Sequence, residues 1–165
     1  MSRLPLFFIL LLLCACTDAP QYGRFRSVPV AGWNRRDVQV FDTDTLPPGI
    51  YQVSIAVRNS VAHRVPYKAI FLSVAQQWTG RPDTLGAVFQ LQHDTLLSFA
   101  LYDDKGDLQG NGLSLRSHEM PVYTATLTDS AAARITIAHR MRTVLLPGIE
   151  AVGVVVKRLT LSNVQ

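Results

Sequence analysis

In the stretch YQVSIAVR, Tyr51, Val53, Ile55 and Val57 alternate with Gln52, Ser54, Ala56 and Arg58. A period of two places successive side chains on opposite faces of an extended chain, whereas a helix stripe repeats every 3.6 residues. This stretch therefore predicts a strand with one apolar face. The same period recurs in LSFALYD, where Leu97, Phe99 and Leu101 alternate with Ser98, Ala100 and Tyr102. It recurs again in ARITIAH, where Ile135 and Ile137 alternate with Arg134, Thr136 and Ala138. Further strand candidates are VQVFD, AIFLSVA, GAVFQLQ and VYTATLT, and the closing AVGVVVKRLTL is β-branched and long enough to run through a core. The turn signals LPPG (46–49), DDKGDLQGNG (103–112) and LPG (146–148) separate these runs. Nowhere does a wide apolar stripe of helical period extend over 12 or more residues. The pattern predicts an all-β fold, an antiparallel β-sandwich of jelly-roll type with seven to nine strands in a single domain.

The N-terminus follows a different logic. MSRLPLFFILLLLCA opens on Arg3 and continues as an apolar run from Leu4 to Leu13, broken only by Pro5. That is the charged start and greasy middle of a secretory signal, and it is shorter than the roughly 20 apolar residues a membrane span needs. The only two cysteines, Cys14 and Cys16, close it. A disulfide between residues so close and a two-thiol metal site are both poor solutions. The four residues Leu13-Cys14-Ala15-Cys16 instead resemble the bacterial lipobox, with Leu three places before a cysteine and a small residue just before it. The resemblance implies cleavage after Ala15 and a covalent diacylglycerol and N-acyl lipid on Cys16. Segment 1–15 is then a signal, 16–32, punctuated by Pro and Gly, a lipid-anchored tether, and 33–165 the folded domain.

The net charge is +4, yet Arg35-Arg36 and Lys157-Arg158 are the only basic doublets. Nucleic-acid binders concentrate such charge on one face, so nucleic acid is not an expected partner. The histidines, His63, His93, His118 and His139, show no H-x-H or H-x-x-x-H spacing. No G-x-S-x-G elbow is present, and after Ala15 the only cysteine is Cys16. The chain therefore reads as a non-enzyme, with no catalytic residue, no metal ligand set and no cofactor beyond the lipid. DDKGD (103–107) offers either a calcium loop or, with the bland reading favoured, a hairpin whose acids cap backbone amides. Trp33, Trp78, Tyr67, Tyr102 and Tyr123 are either core and rim or a stacking platform for a sugar or peptide.

The stretch IAHRMRTVLLPGIEAVGVVVKR (137–158) resembles the C-terminal signature of GldH, the gliding-motility lipoprotein family, which carries a Met-Arg, a Leu-Pro-Gly-Ile turn and a Val-Gly strand there. Trp33 and Phe41 match the family's early Trp and Phe, IAVRN (55–59) its Arg-containing strand, and VPYKAIFLSV (65–74) its Pro-Tyr and aliphatic strand. DTL (83–85) and GNG (110–112) match its Asp-Thr and Gly-x-Gly turns, although Leu108-Gln109 stands where the family usually has a Trp. The resemblance implies a non-enzymatic lipoprotein of the cell envelope, at the outer membrane facing the periplasm. It also implies partners in the gliding and type IX secretion machinery, bound by protein–protein contact. A carbohydrate-binding sandwich, for peptidoglycan or surface glycan, is the alternative. The loop from His139 to Gly148 is the expected contact, with His139, Arg140 and Arg142 as its candidate residues. An arginine there either engages a partner's carboxylate or lies along the sandwich. Gly148, after Pro147, is expected at positive φ in a turn, and Gly153 at a bulge or close approach within a strand.

Overall fold

A computed structural model of the chain describes residues 20–82 and 88–160. The signal segment 1–15, Cys16 and the DTL stretch lie outside the described residues. Ten strands are described, β1 (Tyr22–Ser27), β2 (Trp33–Asn34), β3 (Gln39–Asp42), β4 (Gly49–Ser60), β5 (Ala69–Pro82), β6 (Val88–Ala100), β7 (Leu115–Leu127), β8 (Ala131–His139), β9 (Leu145–Leu146) and β10 (Ile149–Arg158). Every pairing is antiparallel, in two four-stranded sheets ordered β1-β10-β4-β7 and β3-β8-β5-β6, with a small β2-β9 ladder at one end. This is a β-sandwich, as the period of two requires.

Alternation decides which face turns inward. Tyr51, Val53, Ile55 and Val57 of β4 are fully buried. The core also takes Ile70, Leu72 and Trp78 of β5, Ile135 and Ile137 of β8, and Val152, Val154 and Val156 of β10. Each such side chain contributes about 1.5–3 kcal/mol by leaving water. The strand candidates GAVFQLQ and LSFALYD are not two strands: their described parts from Val88 to Gln92 and from Leu97 to Ala100 share the single strand β6. β7 likewise begins at Leu115, before the apolar VYTATLT. Its Pro121, with no N–H to donate, sits where the register with β4 shifts, on an edge strand that tolerates it.

The segment read as a tether, 16–32, departs from that reading. Tyr22–Ser27 pairs along β10 from Val156 to Ala151, so the fold starts before Trp33. β1 is an edge strand in which only Tyr22 is buried, which is why its sequence lacks apolar alternation. The open edges of β1 and β3 meet through Arg26, whose Nε donates to the Val40 carbonyl at 2.7 Å. A charged side chain capping an edge carbonyl in this way discourages further strand pairing.

The pairing of β1 with β10 sets a polarity. The chain enters at the end of the sandwich where Tyr22 meets Val156, while Ser27, Ala151 and the loop before β10 lie toward the opposite end. β10 is ten residues long, so the two ends are about 30 Å apart at the usual strand rise.

Candidate partner-binding surface

The outer face of the β3-β8-β5-β6 sheet carries an open groove of about 580 Å³. Its floor is made of small residues, Ser73 and Ala75 of β5 and Ala138 of β8, and larger Val38 and Leu96 stand at its sides. Alternation produces it: each floor residue is out of phase with a buried neighbour, Leu72, Val74 or Ile137. Val38, Phe71 and Leu96, exposed by 48%, 44% and 64%, put apolar surface on this one face. Arg140 closes the groove's far end, and its Nε donates to Ser73 Oγ at 2.9 Å. The rest of its guanidinium has no hydrogen-bond partner among the described residues. At the other end of the face, Arg134 is already committed to Asp42, at 2.7 Å from Nε to Oδ1.

The sequence expectations for the 139–148 loop divide by phase. Arg140 and Arg142 are exposed, as expected. His139 is a correction: it is fully buried and cannot contact a partner. It stands in phase with Ile135 and Ile137, a signal the sequence contained. Its Nε2 donates to the Trp33 carbonyl at 3.0 Å, and the two rings meet edge-on with centroids 5.3 Å apart. Trp33 in turn donates from Nε1 to the Asp37 carbonyl at 2.8 Å. His139 and Trp33 thus hold the turn between β2 and β3 against the end of β8. The Arg35 N–H donates to the Val144 carbonyl at 2.8 Å, which brings Arg35-Arg36 beside the loop carrying Arg142.

Burial lowers the His139 pKa; the hydrogen bond to Trp33 opposes that shift and the Arg35 charge adds to it. Burial, then the Arg116 charge, lowers His118, whose Nε2 lies 2.8 Å from Asn59 Oδ1. Below the ordinary histidine pKa of about 6.5 the unfolded chain binds more protons than the folded one, so stability falls as pH drops. We expect the melting temperature to be flat above about pH 7.5 and to decline from about pH 6.5 downward. A His118→Gln, His139→Gln double variant should flatten that decline, and an unchanged slope would refute the assignment.

Other sequence candidates resolve locally. Trp33 and Trp78 are fully buried, so neither joins a surface stacking platform. In DDKGD, Asp103 Oδ1 accepts the N–H groups of Lys105 at 2.9 Å and Asp107 at 2.8 Å, the capped-turn arrangement. Ser60, His63 and Glu150 gather, but Ser60 Oγ and Glu150 Oε1 both approach His63 Nδ1, at 3.4 and 3.9 Å. A catalytic base needs its nucleophile and its orienting acid on opposite ring nitrogens, so this is not a triad. Among the described residues no three His, Cys, Asp or Glu converge as metal ligands, and no helix is long and apolar enough to cross a membrane.

Fold and surface together define an antiparallel β-sandwich that presents an open sheet face. The family model of the GldH lipoprotein matches residues 21–156, and the chain belongs to that family. It is therefore a membrane-anchored envelope lipoprotein associated with gliding motility, from a family not known as enzymes. No curated protein matches the chain. Among solved structures it is similar to a chain of "Structure of infectious bursal disease virus Gt strain", at 12% identity over 87% of this chain and 36% of that one, with a TM-score of 0.18. The Gx strain structure gives 7% identity over 86% and 43%, with a TM-score of 0.16. The chain spans less than half of either viral chain, and likenesses this low carry no argument.

Proposed function

We propose that this lipoprotein acts by protein–protein contact within the gliding and type IX secretion machinery. In this reading Cys16 is lipidated and anchored in the outer membrane, and the domain faces the periplasm. The observation that carries the reading is the groove on the β3-β8-β5-β6 face, with Arg140 at its rim. A sheet holds such a surface rigid, and an arginine with free guanidinium nitrogens matches a partner carboxylate.

Two measurements test it. Cys16→Ser should abolish palmitate incorporation and processing, while Cys14→Ser should leave both intact; label persisting in Cys16→Ser contradicts the anchor. Arg140→Glu and Arg142→Glu, made separately, alter exposed side chains and should each change stability by no more than about 0.5 kcal/mol. Loss of in-cell crosslinks and of secretion or gliding, at unchanged melting temperature and envelope level, is the expected result for Arg140→Glu. Full function in Arg140→Glu would remove this face from the mechanism.

A further inference from the structure

The end of the sandwich remote from the chain's entry collects arginines without ion pairs. Arg35 and Arg36 lie on the turn after β2, Arg142 on the loop before β9, and the Arg35–Val144 backbone bond joins the two segments. None of these three, nor Arg140, has a described carboxylate within 4.0 Å. The ion pairs of Arg134 with Asp42 and of Lys157 with Glu119 lie on other parts of the molecule. This end also carries acids: Asp37 accepts from Gln39 Nε2 at 2.9 Å, Glu150 lies 3.9 Å from His63, and Asp103 caps the 103–107 turn, but none of these, nor Asp104 or Asp107, lies within 4.0 Å of the three arginines. Aliphatic side chains stand beside these arginines: Val144 and Leu145 are 58% and 43% exposed, and Val30, two residues before Gly32, is 93% exposed. Gly32 itself packs on the Leu146 carbonyl, so Val30 belongs to the same end.

We propose that this end is a docking surface for an acidic protein partner, whose carboxylates meet Arg35, Arg36 and Arg142 and whose apolar side chains cover Val144 and Leu145. Charge complementarity selects the acid, and the exposed aliphatics select a folded protein over a soluble polyanion, which has nothing to bury against them. The polarity of the fold argues against the anchoring bilayer as the anion. Cys16 and Pro20 are four residues apart and so no more than about 14 Å apart however the chain runs. The arginines are at the other end of strands that span about 30 Å. The inference rests on the anchored, partner-binding reading above and names the chemistry of that partner.

The test places a photoreactive benzoylphenylalanine at Val144 in the full chain, in cells. An adduct is expected. It should fall at least tenfold when Arg35, Arg36 and Arg142 are all changed to Glu, and persist when all three are changed to Lys, which keeps the charge. Arg142→Glu alone should weaken it several-fold, and it serves as the readout if the triple variant melts early. Raised salt should weaken the adduct, as for exposed charge pairs. An adduct absent, or equally strong in the Glu variants, overturns the inference. So does pelleting of the Cys16→Ser chain with phosphatidylglycerol vesicles but not phosphatidylcholine vesicles, if that pelleting is lost when Arg35, Arg36 and Arg142 are changed to Glu, because a membrane would then be the anion. Palmitate labelling in the same cells separates the two failures: label on Cys16 with a charge-insensitive adduct overturns this inference alone, whereas absence of label defeats the anchored reading on which it rests.

Discussion

Trp33→Ala is expected to destabilise the domain by about 4 kcal/mol, within the usual range for deleting a fully buried tryptophan. Trp33 has no exposed surface, pairs with Leu146 in the β2-β9 ladder, and donates from Nε1 to the Asp37 carbonyl. Truncation leaves a cavity, removes the edge-on contact with His139, and frees the turn that presents Arg35 and Arg36. For a domain of this size the melting temperature should fall by about 8–16 °C, at roughly 2–4 °C per kcal/mol. Trp33→Phe keeps most of the ring volume and loses the N–H bond, so its cost should be nearer 1–2 kcal/mol. Urea unfolding of the three proteins decides it. A loss below about 1 kcal/mol in Trp33→Ala would mean that the tryptophan is not a keystone of this end.

Gly148→Val is the second large effect. Gly148 sits at φ +79°, a left-handed conformation that a β-branched residue adopts only under strain. A Cβ there would lie 2.5 Å from the His63 carbonyl oxygen and 3.0 Å from the Val65 backbone nitrogen, both on a neighbouring segment that cannot rotate aside. The loop also depends on this backbone, because the Ser60 N–H donates to the Gly148 carbonyl at 2.9 Å. Strain of this kind costs about 1–3 kcal/mol before the clash is added, so a loss of roughly 3 kcal/mol or more is expected. Gly153→Val also meets a close neighbour, the Phe25 ring at 2.5 Å, but Phe25 is on edge strand β1 and can move with it. Gly153→Val should therefore lower the melting temperature less than Gly148→Val. The reverse order would show that β1 is held more firmly than its edge position implies.

The extent to which sequence disclosed the fold depended on burial. β4 and β8 were legible from their two-residue period, and β10 from its β-branched run, which is buried on both faces from Val152 to Val156. β1 was not legible, because a single buried residue leaves no period to read. The inward phase of His139 was present in the sequence, following Ile135 and Ile137, and continued through buried Met141. A polar residue type hid it, although its one hydrogen bond to the Trp33 carbonyl is what permits a histidine there. Arg140 and Arg142 were legible as exposed for the complementary reason.

By itself the sequence determined the strand period, the apolar face of each central strand, the glycine that the LPG turn requires and the family signature, because all of these are local consequences of residue order. Only the tertiary structure decided which surface those strands present. The groove floor is shared between β5 and β8, two strands far apart in the chain that become neighbours by ladder pairing. Arg35-Arg36 and Arg142 reach one end of the molecule because the β2-β9 ladder and the Trp33–His139 contact bring distant segments together. Such juxtapositions arise from non-local hydrogen bonds and shared burial, which no single stretch of sequence encodes.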